Sequence, residues 1–144
     1  IGNEVAELIT NLQSKRKNIW WLKEMLPHDE LTAVLTSADL FVCPSIYEPL
    51  GIVNLEAMAC ETAVIASNVG GIPEVVVDGE TGILVDFSPD HEAFETNFAA
   101  AINAVMSDSS LADRYGKKGR ERTIAEFGWD KVAAQTIDLY RSVI

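Results

Sequence analysis

Short apolar segments alternate with amphipathic segments along most of this chain. An amphipathic helix is predicted at the start, because apolar residues recur there at helical spacing: Val5, Leu8, Ile9 and Leu12. Apolar runs that are too short for helices predict four strands, at residues 18–23, 39–43, 63–66 and 83–86. The first of these strands is the most aromatic one, with the sequence NIWWLK.

Helical patterns separate the predicted strands and fill the C-terminal third of the chain. Helices are predicted at about 29–37 and 51–60, whereas residues 74–77 form a helical turn at most. From His91 onward the pattern is helical in three pieces, interrupted near Ser107–Ser110 and at Gly128. Strands that alternate with helices predict a Rossmann-like, doubly wound and mainly parallel α/β sheet, whose ligands bind at the carboxyl ends of the strands.

Length and cysteine content refine this picture. The chain has 144 residues, of which 48% are hydrophobic and 23% charged, as expected for one folded core. Cys43 and Cys60 lie in apolar contexts without a CxxC spacing, which favours buried thiols in the reducing cytoplasm. No apolar run approaches the roughly 20 residues of a bilayer span. Because Ile1–Leu12 resembles the middle of a helix more than a natural beginning, we expect the chain to be a fragment.

Charge excludes one class of partner and marks one unusual stretch. The net charge of −11 argues against binding to nucleic acid or anionic lipid. No Lys or Arg occurs between Glu24 and Asp113, although most of the carboxylates lie there. One interpretation is a solvated acidic surface. The other is that an anionic ligand relies on backbone amides here and on cations supplied from elsewhere.

The segment around Glu48 is the candidate site. Gly51 stands where a helix is predicted to begin, and a helix N-terminus presents unpaired N–H groups that glycine lets a ligand approach closely. On a helical projection Asn54 and Glu61 form one polar edge, and Glu56 lies on the opposite side. Glu56 is therefore either buried with a partner or ligand hydroxyl, or exposed on the first turns and favoured there by the helix dipole.

Two runs of sequence resemble a known family. PSIYEPLGIVNLEAMAC at residues 44–60 and AVIASNVGGIPEVVVDGETGILV at 63–85, with Phe127–Trp129 before the last helix, are similar to the donor-binding domain of retaining glycosyltransferases of GT-B family four. Glu48 and Glu56 match the E-x7-E motif of that family. The amino-acid sequence of the first run is similar to that of actinobacterial-type glycogen synthases, which use a nucleotide-diphosphate glucose, usually ADP-glucose.

The resemblance implies a role for each matching residue. Glu48 would be the catalytic-site carboxylate that contacts a hydroxyl of the donor sugar, and Glu56 would bind the ribose hydroxyls. Backbone amides would hold sugar or phosphate oxygens at three positions: Leu50, Gly51 and Ile52. Met25 and Leu26 would be candidates for contact with the nucleotide base. Gly70 and Gly71 match a loop of the same cleft, although a plain turn explains them equally well.

The resemblance also implies what lies outside the chain. Residues 1–144 would be part of a nucleotide-sugar-binding domain, with the acceptor domain, two strands and an Arg and Lys pair for the diphosphate placed before Ile1. The enzyme would need no cofactor and no obligatory metal, and it would transfer glucose from ADP-glucose or UDP-glucose to an α-glucan, whereas the fragment itself would be inactive. The alternatives are a family-four enzyme with a lipid or small-molecule acceptor, and a non-catalytic interaction module.

Two further expectations concern surfaces. The apolar positions of the late helices indicate core packing or, for Leu139, Tyr140 and Val143, contact with the absent domain, in which case these residues would be exposed here. A sheet that lacks strands has an unpaired edge, which favours self-association. We therefore predict that this chain forms a homodimer or a strand-exchanged form, and a monomeric mass at all concentrations would contradict this prediction.

Overall fold

A computed structural model describes residues 2–143 of the chain. Seven helices occur in this part, and their bounds are α1 Gly2–Lys15, α2 His28–Ser37, α3 Ile52–Ala59, α4 Ile72–Val75, α5 His91–Met106, α6 Ser109–Phe127 and α7 Trp129–Ser142. Three strands are present among the same residues: β1 Phe41–Cys43, β2 Val64–Asn68 and β3 Gly82–Asp86. The three-part helical pattern after His91 is confirmed, with interruptions at the expected places.

The strands form one parallel sheet in the order β1-β2-β3. Phe41 is paired with Val64, which in turn is paired with Gly82. Successive side chains of β2 point to opposite faces, so Val64 and Ala66 enter one apolar cluster with α3 and α4, whereas Ile65 enters another with α5. Because helices cover both faces, the buried part of β2 is apolar except for Ser67, and the predicted α/β class is confirmed.

The predicted strand at residues 18–23 is wrong. Residues 16–27 contain no helix or strand, and the exposed fraction of the Trp20 side chain is 79%. An extended segment becomes a strand only when a neighbour accepts and donates its backbone hydrogen bonds. Among the described residues β1 pairs only with β2, so the aromatic segment does not join the other edge of β1 and stays without a backbone partner.

Helix α6 packs on α3 through two glycines. A Cβ at Gly116 would collide with the carbonyl oxygen of Glu61, and a Cβ at Gly119 would lie 2.9 Å from Cγ of Met58. The absence of side chains at these positions lets the two helices approach closely. Helix α6 therefore supports α3, the helix that carries two of the predicted site residues, Ile52 and Glu56.

The last helix, α7, contributes no buried residue, so the core-packing interpretation does not hold for it, although Val105 and Tyr115 of the preceding helices are buried. Leu139, Tyr140 and Val143 are 62%, 63% and 74% exposed.

Strand β1 is an edge of the described sheet. The homodimer stays a prediction. Within residues 2–143, none of the helices combines the length and the apolar character that a bilayer span requires.

Candidate functional site

The Glu48 loop, residues 44–51, joins the end of β1 to the start of α3. Gly51, the residue before α3, has a φ of 92°, a left-handed conformation that favours glycine. The Gly51 N–H donates a hydrogen bond of 3.2 Å to Oε1 of Glu48. This bond closes the turn and holds the half-buried Glu48 side chain at the mouth of the helix.

A second loop, Val69–Gly71, leaves the neighbouring strand β2 and packs on the backbone of the Glu48 loop. The Gly71 N–H donates to the carbonyl oxygen of Glu48 at 3.0 Å. A Cβ at Gly70 would collide with that same oxygen, and a Cβ at Gly71 would lie 2.8 Å from Cα of Leu50. The Gly-Gly pair is thus required by close backbone approach, which a plain turn does not explain.

Ser67 joins the two strand ends, and sequence analysis missed it. Its hydroxyl is fully buried and lies within hydrogen-bond distance of two carbonyl oxygens, at 2.6 Å from that of Ser45 and 3.2 Å from that of Cys43. The one available signal was a hydroxyl residue in an otherwise apolar strand. Ser67 fixes where the Glu48 loop leaves the sheet.

The start of α3 has free hydrogen-bond donors. No side chain caps this helix, and its first N–H groups, at Ile52 and Val53, have no acceptor within the helix. Ile52 and Leu50 are 61% and 37% exposed, whereas Gly51 is buried. The structure thus brings together four predicted site residues: Glu48, Leu50, Gly51 and Ile52. The N–H groups of Leu50 and Ile52 can donate to hydroxyl or phosphate oxygens, and the Glu48 carboxylate can accept from a hydroxyl.

Glu56 lies one turn further along α3 and is partly buried. Within residues 2–143 no hydrogen bond or ion pair involves its carboxylate, so this group is free to accept from a ligand hydroxyl.

The polar edge predicted for α3 from Asn54 and Glu61 is wrong. Asn54 is fully buried, and Glu61 lies beyond the end of α3 with a φ of 62°, where a helical projection no longer applies.

Met25 and Leu26 lie in the irregular segment before α2. The Met25 side chain is 97% exposed, and Leu26 is partly buried. No hydrogen bond in the described part of the chain connects either residue with the Glu48 loop. Contact of these two residues with the nucleotide base stays a prediction.

The cations lie away from the Glu48 loop. Arg122 of α6 donates to the carbonyl oxygens of Val75 at 2.9 Å and Glu74 at 2.8 Å, at the end of α4. Arg120 donates to the carbonyl oxygen of Ala59 and lies 3.5 Å from the Glu61 carboxylate. In residues 2–143 no Lys or Arg forms an ion pair with Glu48 or Glu56, and no cluster of three or more His, Cys, Asp or Glu could hold a metal ion.

A cavity of about 630 Å³ lies at the amino ends of the strands, opposite the end from which the Glu48 loop leaves. It is lined by Asp39 and Ala63, which precede β1 and β2, and by the partly buried Cys60. The amino ends of parallel strands rarely bind the ligand of an open α/β sheet, and the uncapped start of α3 is at the carboxyl ends. The candidate site is therefore the Glu48 loop together with the start of α3, where the free N–H groups and the unpaired Glu56 carboxylate lie.

Comparison with known proteins identifies relatives of the chain. Residues 2–122 match the family described as glycosyl transferases group 1. The chain is 52% identical over 144 residues to the alpha-maltose-1-phosphate synthase of Mycolicibacterium smegmatis, covering 99% of this chain and 37% of that protein. It is 42% identical over 115 residues to the glycogen synthase of Mycobacterium tuberculosis, covering 80% of this chain and 27% of that protein. The chain thus spans about a third of the length of these relatives.

Solved structures show the same fold. Sucrose-phosphate synthase from Thermosynechococcus elongatus superposes with a TM-score of 0.84 and 36% identity, covering 98% of this chain and 34% of the other. The Anabaena protein HepE, crystallised with UDP-glucose, superposes with a TM-score of 0.77 and 22% identity, covering 97% of this chain and 36% of the other. These neighbours are GT-B glycosyltransferases, which confirms the fold expected from the resemblance.

Proposed function

Because the chain belongs to the glycosyl transferases group 1 family, we propose that it forms the donor-binding part of a retaining enzyme that transfers glucose from ADP-glucose or UDP-glucose. The observation that carries this proposal is the start of α3. There a carboxylate, a left-handed glycine and uncapped N–H groups lie together at the ends of two adjacent strands. The solved neighbour with UDP-glucose supports a nucleotide-sugar ligand.

Each part of the site suits a different part of the donor. Glu48 accepts a hydrogen bond from a hydroxyl of the donor sugar and is the proposed catalytic residue. The N–H groups of Leu50 and Ile52 hold sugar or phosphate oxygens, with the positive end of the α3 dipole behind them, whereas the Gly51 N–H already bonds Glu48. Glu56, which has no partner within residues 2–143, accepts from the ribose hydroxyls. Met25 and Leu26 remain candidates for contact with the base.

The diphosphate needs more positive charge than this chain offers near α3. Arg120 and Arg122 already bond backbone carbonyls of other elements. We therefore place the Arg and Lys that stabilise the leaving diphosphate outside residues 1–144. These side chains would provide the electrostatic stabilisation without an obligatory metal or other cofactor, and the isolated chain would be inactive.

The free thiols of Cys43 and Cys60 support a cytoplasmic location.

The names of the two relatives suggest two different acceptors. An α-glucan is the acceptor suggested by the glycogen synthase at 42% identity. A small sugar phosphate is suggested by the relative at 52% identity, whose name gives a phosphorylated disaccharide as the product. We favour the sugar phosphate, because that relative matches 99% of the chain and the glycogen synthase matches 80%.

One assay distinguishes these acceptors. The complete enzyme is incubated with ADP-glucose or UDP-glucose, and with either glucose 1-phosphate or glycogen as acceptor. Proton NMR then follows the anomeric signal of the product. We expect an α-linked phosphorylated disaccharide with glucose 1-phosphate, with the donor configuration retained. Transfer to glycogen but not to glucose 1-phosphate would favour an α-glucan as the acceptor. Absence of transfer from either donor would favour a non-catalytic interaction module.

A further inference from the structure

Asn54 is buried without any hydrogen-bond partner. Its side chain is fully inaccessible to solvent, and within residues 2–143 neither Nδ2 nor Oδ1 has a partner. A buried amide that makes no hydrogen bond costs stability, whereas a leucine of similar shape would avoid that cost. Such a cost is expected mainly at functional sites, so the position of Asn54 is informative.

The unpaired amide lies directly beside the Glu48 loop. Nδ2 of Asn54 is 2.7 Å from the point that a Cβ on Gly51 would occupy, and Cγ of Glu48 is 3.6 Å from the same point. Asn54 is the third residue of α3, three positions after Gly51. A side chain at this position can reach back to the N–H of the residue that precedes the helix, as in a capping box.

The Gly51 residue thus has two polar side chains beside it, the Glu48 carboxylate, which accepts its N–H, and the unpaired Asn54 amide. Glu48 holds this N–H now, at 3.2 Å, which is the long end of the usual range. A rotation of the Asn54 amide exchanges Nδ2 for Oδ1, which places an acceptor beside Gly51. Once Oδ1 accepts the Gly51 N–H, the Glu48 carboxylate is released.

We infer that Asn54 is a positioning residue that takes the Gly51 N–H from Glu48 when the donor binds, a role that rests on the donor site proposed above. The exchange frees the Glu48 carboxylate for the sugar hydroxyl and pairs an amide that is otherwise unpaired. The donor oxygens then bind the N–H groups of Leu50 and Ile52, while Asn54 holds Gly51. Asn54 acts through Gly51 and Glu48 and does not itself touch the donor.

The test compares stability with donor affinity in the complete enzyme. Asn54→Leu removes both unpaired polar atoms at nearly constant volume, so the melting temperature of the free enzyme should stay the same or rise. Affinity for ADP-glucose or UDP-glucose, measured by calorimetric titration, should fall about tenfold, as expected for one lost hydrogen bond. Asn54→Asp keeps an acceptor oxygen and should restore most of the affinity.

Thr62→Val is the matched control. Thr62 is also buried and polar, but its hydroxyl donates to the carbonyl oxygen of Leu35 at 2.6 Å, away from the Glu48 loop. This variant should lower the melting temperature and leave donor affinity unchanged.

Three results would overturn the role of Asn54. They are unchanged donor affinity in Asn54→Leu, a loss of affinity accompanied by a lower melting temperature, and equal losses of affinity in Asn54→Leu and Asn54→Asp. If the unmodified enzyme bound neither nucleotide sugar, the proposed donor site itself would fail, and the role of Asn54 with it. Binding by the unmodified enzyme with no change in the variants would refute the role of Asn54 alone.

Discussion

Helices α3 and α4 begin differently from α5 and α6. Asp90 and Asp108 cap α5 and α6, each accepting hydrogen bonds from two backbone N–H groups. Helices α3 and α4 begin after Gly51 and Gly71 and have no side-chain cap. A capped start favours stability, whereas the uncapped start of α3 leaves N–H groups for a ligand at the carboxyl end of β1. At the start of α4 the N–H groups of Gly71, Ile72 and Glu74 already bond backbone carbonyl oxygens. The glycines of this region serve close backbone packing and ligand approach.

The largest effect is expected where the two uncapped starts meet. Gly70→Ala adds a Cβ that collides with the Glu48 carbonyl oxygen at a φ of 54°, and it should cost about 4 kcal/mol of unfolding free energy. Gly71→Ala adds a collision without a positive φ and should cost about 3 kcal/mol. Gly79→Ala is the matched control, with a φ of 72° and no atom within 4 Å, and should cost about 1 kcal/mol.

Urea unfolding of the complete enzyme measures this series. Each substitution should also be titrated with the nucleotide sugar, because the collisions displace the Glu48 loop whereas Gly79 is remote from it. Equal costs at Gly71 and Gly79 would show that the loop backbones do not pack as closely as described.

A smaller effect is expected at the other end of α4. Arg122 bonds the carbonyl oxygens of Glu74 and Val75, so Arg122→Met leaves the end of this short helix without its charged donor. The substitution should cost about 2 kcal/mol in urea unfolding. Arg141→Met, which removes an exposed ion pair with Asp138, should cost less than about 0.5 kcal/mol. Similar small costs for both variants would contradict the role of Arg122 in holding α4.

The smallest effect is expected at a capped start. The Ser110 hydroxyl and the N–H of Leu111 hold the pKa of Asp108 below its ordinary value of 3.8. Because the folded pKa is lowered, the stabilisation is present above pH 3.8 and is lost as the pH falls through the folded pKa. Asp108→Asn can still cap the helix but does not titrate, so melting temperatures measured across acid pH should fall less steeply. An unchanged slope would contradict this assignment.

Much of the fold follows from the alternation of short apolar runs with helical patterns. Strand β2 could be predicted because both faces of the sheet are buried, which requires a continuously apolar segment. The segment NIWWLK is also short and apolar in its centre and yet forms no strand. Whether this segment forms a strand depends on a neighbouring strand with which it can pair, and the local sequence pattern does not show whether such a strand is present.

The candidate site could be predicted only in part. Glu48, Gly51 and Ile52 come from one continuous segment, so a sequence motif keeps them together. Asn54 was placed on a polar edge because a helical projection treats α3 as isolated from the loop and from α4. The Gly70-Gly71 pair has the composition of any turn, and the backbone collision that requires it is visible only once two loops from different strands are in contact.

The central claim is that the start of α3 binds a nucleotide sugar, and calorimetric titration of the complete enzyme with ADP, UDP and their glucose conjugates tests it most directly. We predict that Glu56→Gln weakens nucleotide binding by about 2 kcal/mol, because it loses charge-assisted hydrogen bonds to the ribose. Glu48→Gln should lower turnover more than nucleotide affinity. The control Glu95→Gln, on the exposed face of α5, should change neither. Unchanged binding and turnover in both site variants, or no nucleotide binding by the unmodified enzyme, would contradict the account.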